Sequence, residues 1–96
     1  MTKKRRYTER NWENRTEVEA WYNSLSAFQK ERFKRIKDLF QEQTWVIKNG
    51  QQETRPTNNN DVLNWIIAKS SWKIVNEQWA RWYIKKAKIL MGFEII

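Results

Sequence analysis

From Asp61 to Met91 the sequence repeats on a seven-residue frame, and nothing else in it restricts the fold as much. Trp65, Trp72 and Trp79 share one frame position, and Ala68, Val75, Trp82 and Ile89 share the position three residues later. With no Gly or Pro before Gly92, this a/d pattern predicts one long helix with a seam of indole rings. The seam would hold Trp65, Trp72, Val75, Trp79, Trp82, Tyr83 and Leu90. A weaker apolar band holds Ala80, Ile84, Ala87 and Met91. Ser70-Ser71 is the place where such a helix can split. A seam must be buried, so the indoles are read as core and not as a stacking surface. Lys86 stands where a fourth Trp would fall, and a lysine there either reaches to the edge or fixes register.

The amino-terminal half reads as two shorter helices. Residues 14–23 carry the stripe Val18, Trp21, Tyr22 and Leu25, with Thr16 expected as N-cap. Ser26 with Gln29 makes a capping box that restarts a helix at Ala27, running to Gln43 with Phe28, Phe33, Ile36, Leu39 and Phe40 inward. Its outer side separates Lys30, Lys34 and Lys37 from Glu31, Asp38 and Glu42, with Glu31–Arg35 and Lys34–Asp38 spaced as ion pairs. Residues 44–55 have two readings. The favoured one ends the helix near Ile47 with Gly50 as its C-cap; the other is a minor β-hairpin turning at Asn49-Gly50. Pro56 and the Asn run form a connector, with Asn58 or Asn60 capping the long helix and Asp61 in its first turn. Gly92 would end that helix, leaving Phe93, Ile95 and Ile96 as an apolar tail.

The expected fold is therefore all-α. It is a small helical bundle or long antiparallel helical hairpin with a short first helix, one domain over residues 14–96. Residues 1–13 are expected as a disordered, flexible basic arm, because they offer almost nothing to bury.

Charge points to the partner. Nineteen Lys and Arg face eleven Asp and Glu, a net +8, which favours polyanions. Two basic groups stand out: Lys3, Lys4, Arg5 and Arg6 in the arm, and Arg81, Lys85 and Lys88 at i, i+4 and i+7, with no acidic residue expected beside them. With no His and no Cys, the commonest general base and thiol nucleophile are missing. No metal motif and no glycine-rich phosphate loop is present, so neither enzyme activity nor a cofactor is expected. The absence of Cys fits a reducing, cytoplasmic location. The basic start lacks the apolar stretch of a secretory signal, and no apolar run approaches the roughly 20 residues of a membrane span.

The expected function is non-enzymatic nucleic-acid binding, to DNA or RNA, through phosphate contacts, as a regulator of viral or plasmid origin. Its size is compatible with a homodimer. A helix-turn-helix variant would use residues 61–68, a turn at Lys69-Ser70-Ser71 and a recognition helix from Trp72, with Asn76 and Arg81 reading base edges. The alternative function is a protein-interaction module that inhibits or recruits a host protein. Its contacts would be the Ile84/Met91 band and Phe93–Ile96.

Overall fold

The computed structural model describes residues 14–96. Helix α1, Arg15–Asn23, starts on Asn14 and not on Thr16, because the Asn14 side chain accepts the Glu17 amide at 3.3 Å. Ser26 is extended and its hydroxyl accepts the Gln29 amide at 3.2 Å, so α2, Ala27–Gln41, starts as a separate helix. Gln29 does not complete a capping box; its side-chain oxygen accepts from the Tyr83 hydroxyl at 2.7 Å.

After α2 the chain forms a ribbon where a helix end was favoured. Strand β1, Gln43–Lys48, pairs antiparallel with β2, Gln51–Pro56. Asn49 and Gly50 sit at φ 54° and 77°, the doubly left-handed turn that the Asn-Gly dipeptide suits. Turn chemistry and the β-branched Val46 and Ile47 outweigh the helical stripe here. On one face Trp45 stands opposite Thr54 and Ile47 opposite Gln52, and both apolar side chains are about two-thirds exposed.

A polar joint fixes the ribbon to the next helix. Arg55 reaches both oxygens of Asp61, at 2.7 and 2.9 Å. The Thr57 hydroxyl donates to the Glu42 carbonyl at 2.7 Å and lies 2.9 Å from the Thr44 hydroxyl. Asn58 and Asp61 exchange side-chain-to-backbone bonds of 2.9 Å each way, a full capping box that starts α3, Asn59–Asn64.

The long helix is not formed. Helix α3 runs into a π-helical turn, Trp65–Lys69, closed by the Ser70 amide on the Trp65 carbonyl at 2.8 Å. The Ser70 hydroxyl donates to Ile66 O at 2.6 Å and accepts the Trp72 amide at 3.2 Å, and the backbone at Ser70 is extended. Helix α4, Glu77–Gly92, begins afresh on Asn76. The intervening irregular residues reset the phase, so the indole seam does not survive as a buried row. Val75 is 86% and Trp79 58% exposed, while Trp65, Trp72 and Trp82 are half-buried.

The buried frame combines Ala80, Ile84 and Ala87 of the weaker band with Tyr83 and Leu90 of the seam, while Met91 is half-buried. Ala80, Tyr83, Ile84, Ala87 and Leu90 turn inward from α4, against Val18 and Tyr22 of α1, Phe33, Ile36 and Leu39 of α2, and Val62, Leu63 and Ile66. Ala80 and Ala87 are fully buried and lack bulk, which suits close helix packing. Lys86 is 2% exposed and engaged within the fold, so it does not reach to the edge. Gly92 is still helical; the left-handed residue that ends the turn is Glu94, at φ 60°. Phe93, Ile95 and Ile96 are half-buried against the core, and Arg15 donates to the Phe93 carbonyl.

The described chain is thus a mostly helical core with a two-stranded ribbon, in place of a long antiparallel helical hairpin. None of its helices is long and apolar enough to cross a membrane. Residues 1–13, expected as a basic arm, lie outside the described residues.

Candidate nucleic-acid interface

Because α4 buries residues 80, 83, 84, 86, 87 and 90, its opposite side is fixed by the 3.6-residue period. Glu77, Gln78, Arg81, Lys85 and Lys88 are all exposed there. Arg81, Lys85 and Lys88 come together with Ile84, Ile89 and Asn59 around an open groove of about 490 Å³. The three cations singled out on α4 therefore share one surface.

Their states differ. Arg81 is not free of acid: its Nε donates to Glu77 at 2.8 Å, one turn back. Both side chains are 57% exposed, so this pair adds little stability but cancels much of the local charge. Lys88 donates to the Asn59 side chain at 3.1 Å and lies 5.6 Å from the centre of the Phe40 ring. The exposed Lys85 has no hydrogen bond or ion pair among the described residues. Lys3, Lys4, Arg5 and Arg6 lie outside the described residues.

A second feature lies on the same helix and was missed in the sequence. Trp79 and Trp82 meet edge to face, 5.8 Å between centroids and 70° between planes. Trp82 is wedged in turn against Trp21 at 6.3 Å, Phe33 at 6.0 Å and Tyr83 at 5.1 Å. The heptad frame assigned Trp79 to the core. Its place in the first turn of α4, just beyond the capping Asn76, puts it at the margin, and the sequence carried no clear signal of that helix start.

The helix-turn-helix reading is corrected in its particulars. The break runs over residues 70–76, longer than a three- or four-residue turn, and α4 starts at Glu77 and not near Trp72. Asn76 is committed as N-cap, accepting the Gln78 amide at 2.8 Å, and Arg81 is held by Glu77. Neither is presented as a free base reader.

On α2 the spaced pairs Glu31–Arg35 and Lys34–Asp38 do not form among the described residues. The Arg35 guanidinium lies 5.3 Å from the Trp65 ring centre. Arg32 is enclosed by Phe28, Trp72 and Tyr83 at 4.3, 5.2 and 5.3 Å and donates to the Tyr83 hydroxyl at 2.7 Å. Both arginines pack on rings. The surface first assigned to a protein partner is likewise used internally: Ile84 is buried, and Met91, Phe93, Ile95 and Ile96 are half-buried. Among the described residues, no three acidic side chains gather as a metal-ligand set.

Comparison of the chain with protein families, with characterised proteins and with solved structures finds no match in any of the three.

Proposed function

We propose that this is a non-enzymatic nucleic-acid-binding protein that holds the phosphate backbone against the outer face of α4, assisted by Lys3, Lys4, Arg5 and Arg6. The observation that supports it is the exposed grouping of Arg81, Lys85 and Lys88 around one groove, on a chain of net charge +8. A phosphate that meets Lys85 has no acid to displace among the described residues. Binding of this kind releases condensed counterions, so it weakens as salt rises.

The test is a titration of labelled oligonucleotide at several salt concentrations. A protein making about six phosphate contacts loses roughly a thousandfold in affinity between about 50 and 200 mM salt. Removing residues 1–10, which carry five of the positive charges, lowers the slope of log affinity against log salt. A salt-independent affinity overturns the reading.

One observation favours a second reading, a protein-interaction module. Trp45 and Ile47 stand 67% and 70% exposed on the ribbon face that also carries Gln52 and Thr54, without a charged side chain. Exposed apolar patches of this kind mark protein contacts. Capture of a protein partner that is lost on Trp45→Ser, with no salt-dependent binding of nucleic acid, would establish it instead.

A further inference from the structure

We infer that the outer edge of β1 pairs with β1 of a second copy of this chain, joining the two ribbons into one four-stranded antiparallel sheet across a two-fold axis at Val46. This goes beyond the nucleic-acid reading and does not rest on it.

A two-stranded ribbon has two open edges, and here they differ. In an antiparallel pair every second residue turns its amide and carbonyl away from its partner, so each strand offers a row of unused backbone groups. Among the described residues, β1 bonds through its backbone to β2 alone. The β2 edge is blunted, since it carries Glu53 and Arg55 and ends in Pro56. The β1 edge is not. From Gln43 to Ile47 it has no charge, no Gly and no Pro, and Trp45, Val46 and Ile47 are three strand formers in a row.

The register says what docks there. An axis through Val46 sets Val46 opposite Val46 and, on the exposed face, Trp45 of each copy opposite Ile47 of the other. Centring on Trp45 would set Ile47 opposite Gln43, and centring on Ile47 would set Val46 opposite Lys48. The Val46 register alone gives all three an apolar partner. The exposed Trp45 and Ile47 of the two copies then form one apolar stripe over the two central strands. A lone ribbon is marginal, whereas three or more strands sharing an apolar face are stable.

Charge also favours a second copy at this edge. Two chains of net charge +8 repel one another unless they meet where charge is absent. Lys48, the one cation of β1, falls opposite Thr44 of the other copy and not opposite a second lysine. The antiparallel register also sets the two Gln43 ends, where each ribbon leaves its helices, about 20 Å apart, beyond the roughly 8 Å over which salt screens charge. Such pairing uses one patch twice, as a two-fold dimer requires. A foreign protein would have to bring a matching strand, and this chain already supplies one.

The test is sedimentation equilibrium of the full chain, freed of nucleic acid, from about 1 to about 200 µM, where mass action makes association visible. The mass is expected to rise with concentration towards twice that of one chain. Trp45→Glu and Ile47→Lys, both at exposed positions and checked for unchanged helicity, should each weaken association about tenfold. An equimolar mixture of the two variants should restore it, because the new acid then faces the new lysine while the native Ile47 meets the native Trp45 across the axis. Amide exchange of the wild type needs no variant: protection of β1 should increase with concentration while that of α2 and α4 stays constant. A wild type that stays monomeric throughout, a dimer that both variants leave intact, or a mixture that fails to associate overturns the inference. In the first case a protein of another kind becomes the account of the exposed Trp45 and Ile47. None of these outcomes bears on α4 as a phosphate-binding face.

Discussion

Asp61 receives Arg55 in a two-pronged contact, accepts the Asn58 amide at 2.9 Å and lies within hydrogen-bond reach of the Thr44 hydroxyl. The Arg55 hydrogen bonds, ahead of the Asn58 amide, lower its carboxyl pKa from 3.8 to about 2. A depressed carboxyl stabilises the fold fully above the unfolded value and ceases to do so as pH falls through the folded one. The contribution is therefore complete above about pH 4 and disappears towards pH 2. Asp61→Asn should cost about 1 kcal/mol at neutral pH, a discounted figure because Arg55 is 38% exposed to solvent. Urea denaturation near pH 6 and near pH 3 checks this: the gap between wild type and variant should narrow at the lower pH, and a constant gap would contradict it. Asp61 was legible in the sequence as a first-turn acid. Its bond to Arg55 was not, because the favoured reading had no ribbon to bring the arginine round. Glu77 offers the converse prediction. Glu77→Gln frees Arg81 for phosphate and should tighten nucleic-acid binding a few-fold, as expected when one competing charge is removed. Weaker binding would mean that Arg81 faces away from the ligand.

Elements follow the residues that start and stop them. The serine at position 26 and the asparagines at 14, 58 and 76 cap the four helices, each accepting a backbone amide of the first turn. Ser26 could be read directly and Asn58 as one of two candidates beside Asn60, since each stands at a composition break. Asn76 could not, because the tryptophan repeat ran straight across it. The repeat misled for a definite reason: a heptad frame has meaning only along an uninterrupted helix, and Ser70 ends that helix by bonding its own backbone neighbours. Within α4 a second frame, Ala80-Tyr83-Ile84-Ala87-Leu90, competes with the indoles, and small residues allow the closer packing. Asn76→Ala should cost about 1 kcal/mol of global stability, the usual worth of an N-cap, read from the urea midpoint. The ribbon is a separate case. Its turn needs Gly50 at φ 77°, and no other atom lies where a Cβ would project, so Gly50→Ala is opposed by backbone strain alone. That strain, about 1 kcal/mol, should speed amide exchange across residues 43–56 and leave the protection of α2 and α4 unchanged. Uniform loss of protection would show instead that ribbon and helices unfold together.

At the scale of the molecule, burying one side of α4 fixes what the other side presents. Tyr83 shows the coupling: its hydroxyl takes a hydrogen bond from Arg32 and gives one to Gln29, joining α4 to α2 through the core. With that side fixed, Arg81, Lys85 and Lys88 face outward around one groove. Their i, i+4, i+7 spacing made this arrangement legible before any fold was known, even though the packing reason first assigned to it was wrong. What lay beyond the sequence was the pairing of Arg81 and the exposure of Trp79, both consequences of where α4 begins. The most direct test of a phosphate-binding α4 is the double variant Lys85→Gln with Lys88→Gln, checked for unchanged helicity and titrated with oligonucleotide across a range of salt. The account predicts weaker binding and a slope of log affinity against log salt shallower by a little under two, about 0.9 per lost phosphate contact on duplex. Affinity and slope equal to those of the wild type would contradict it.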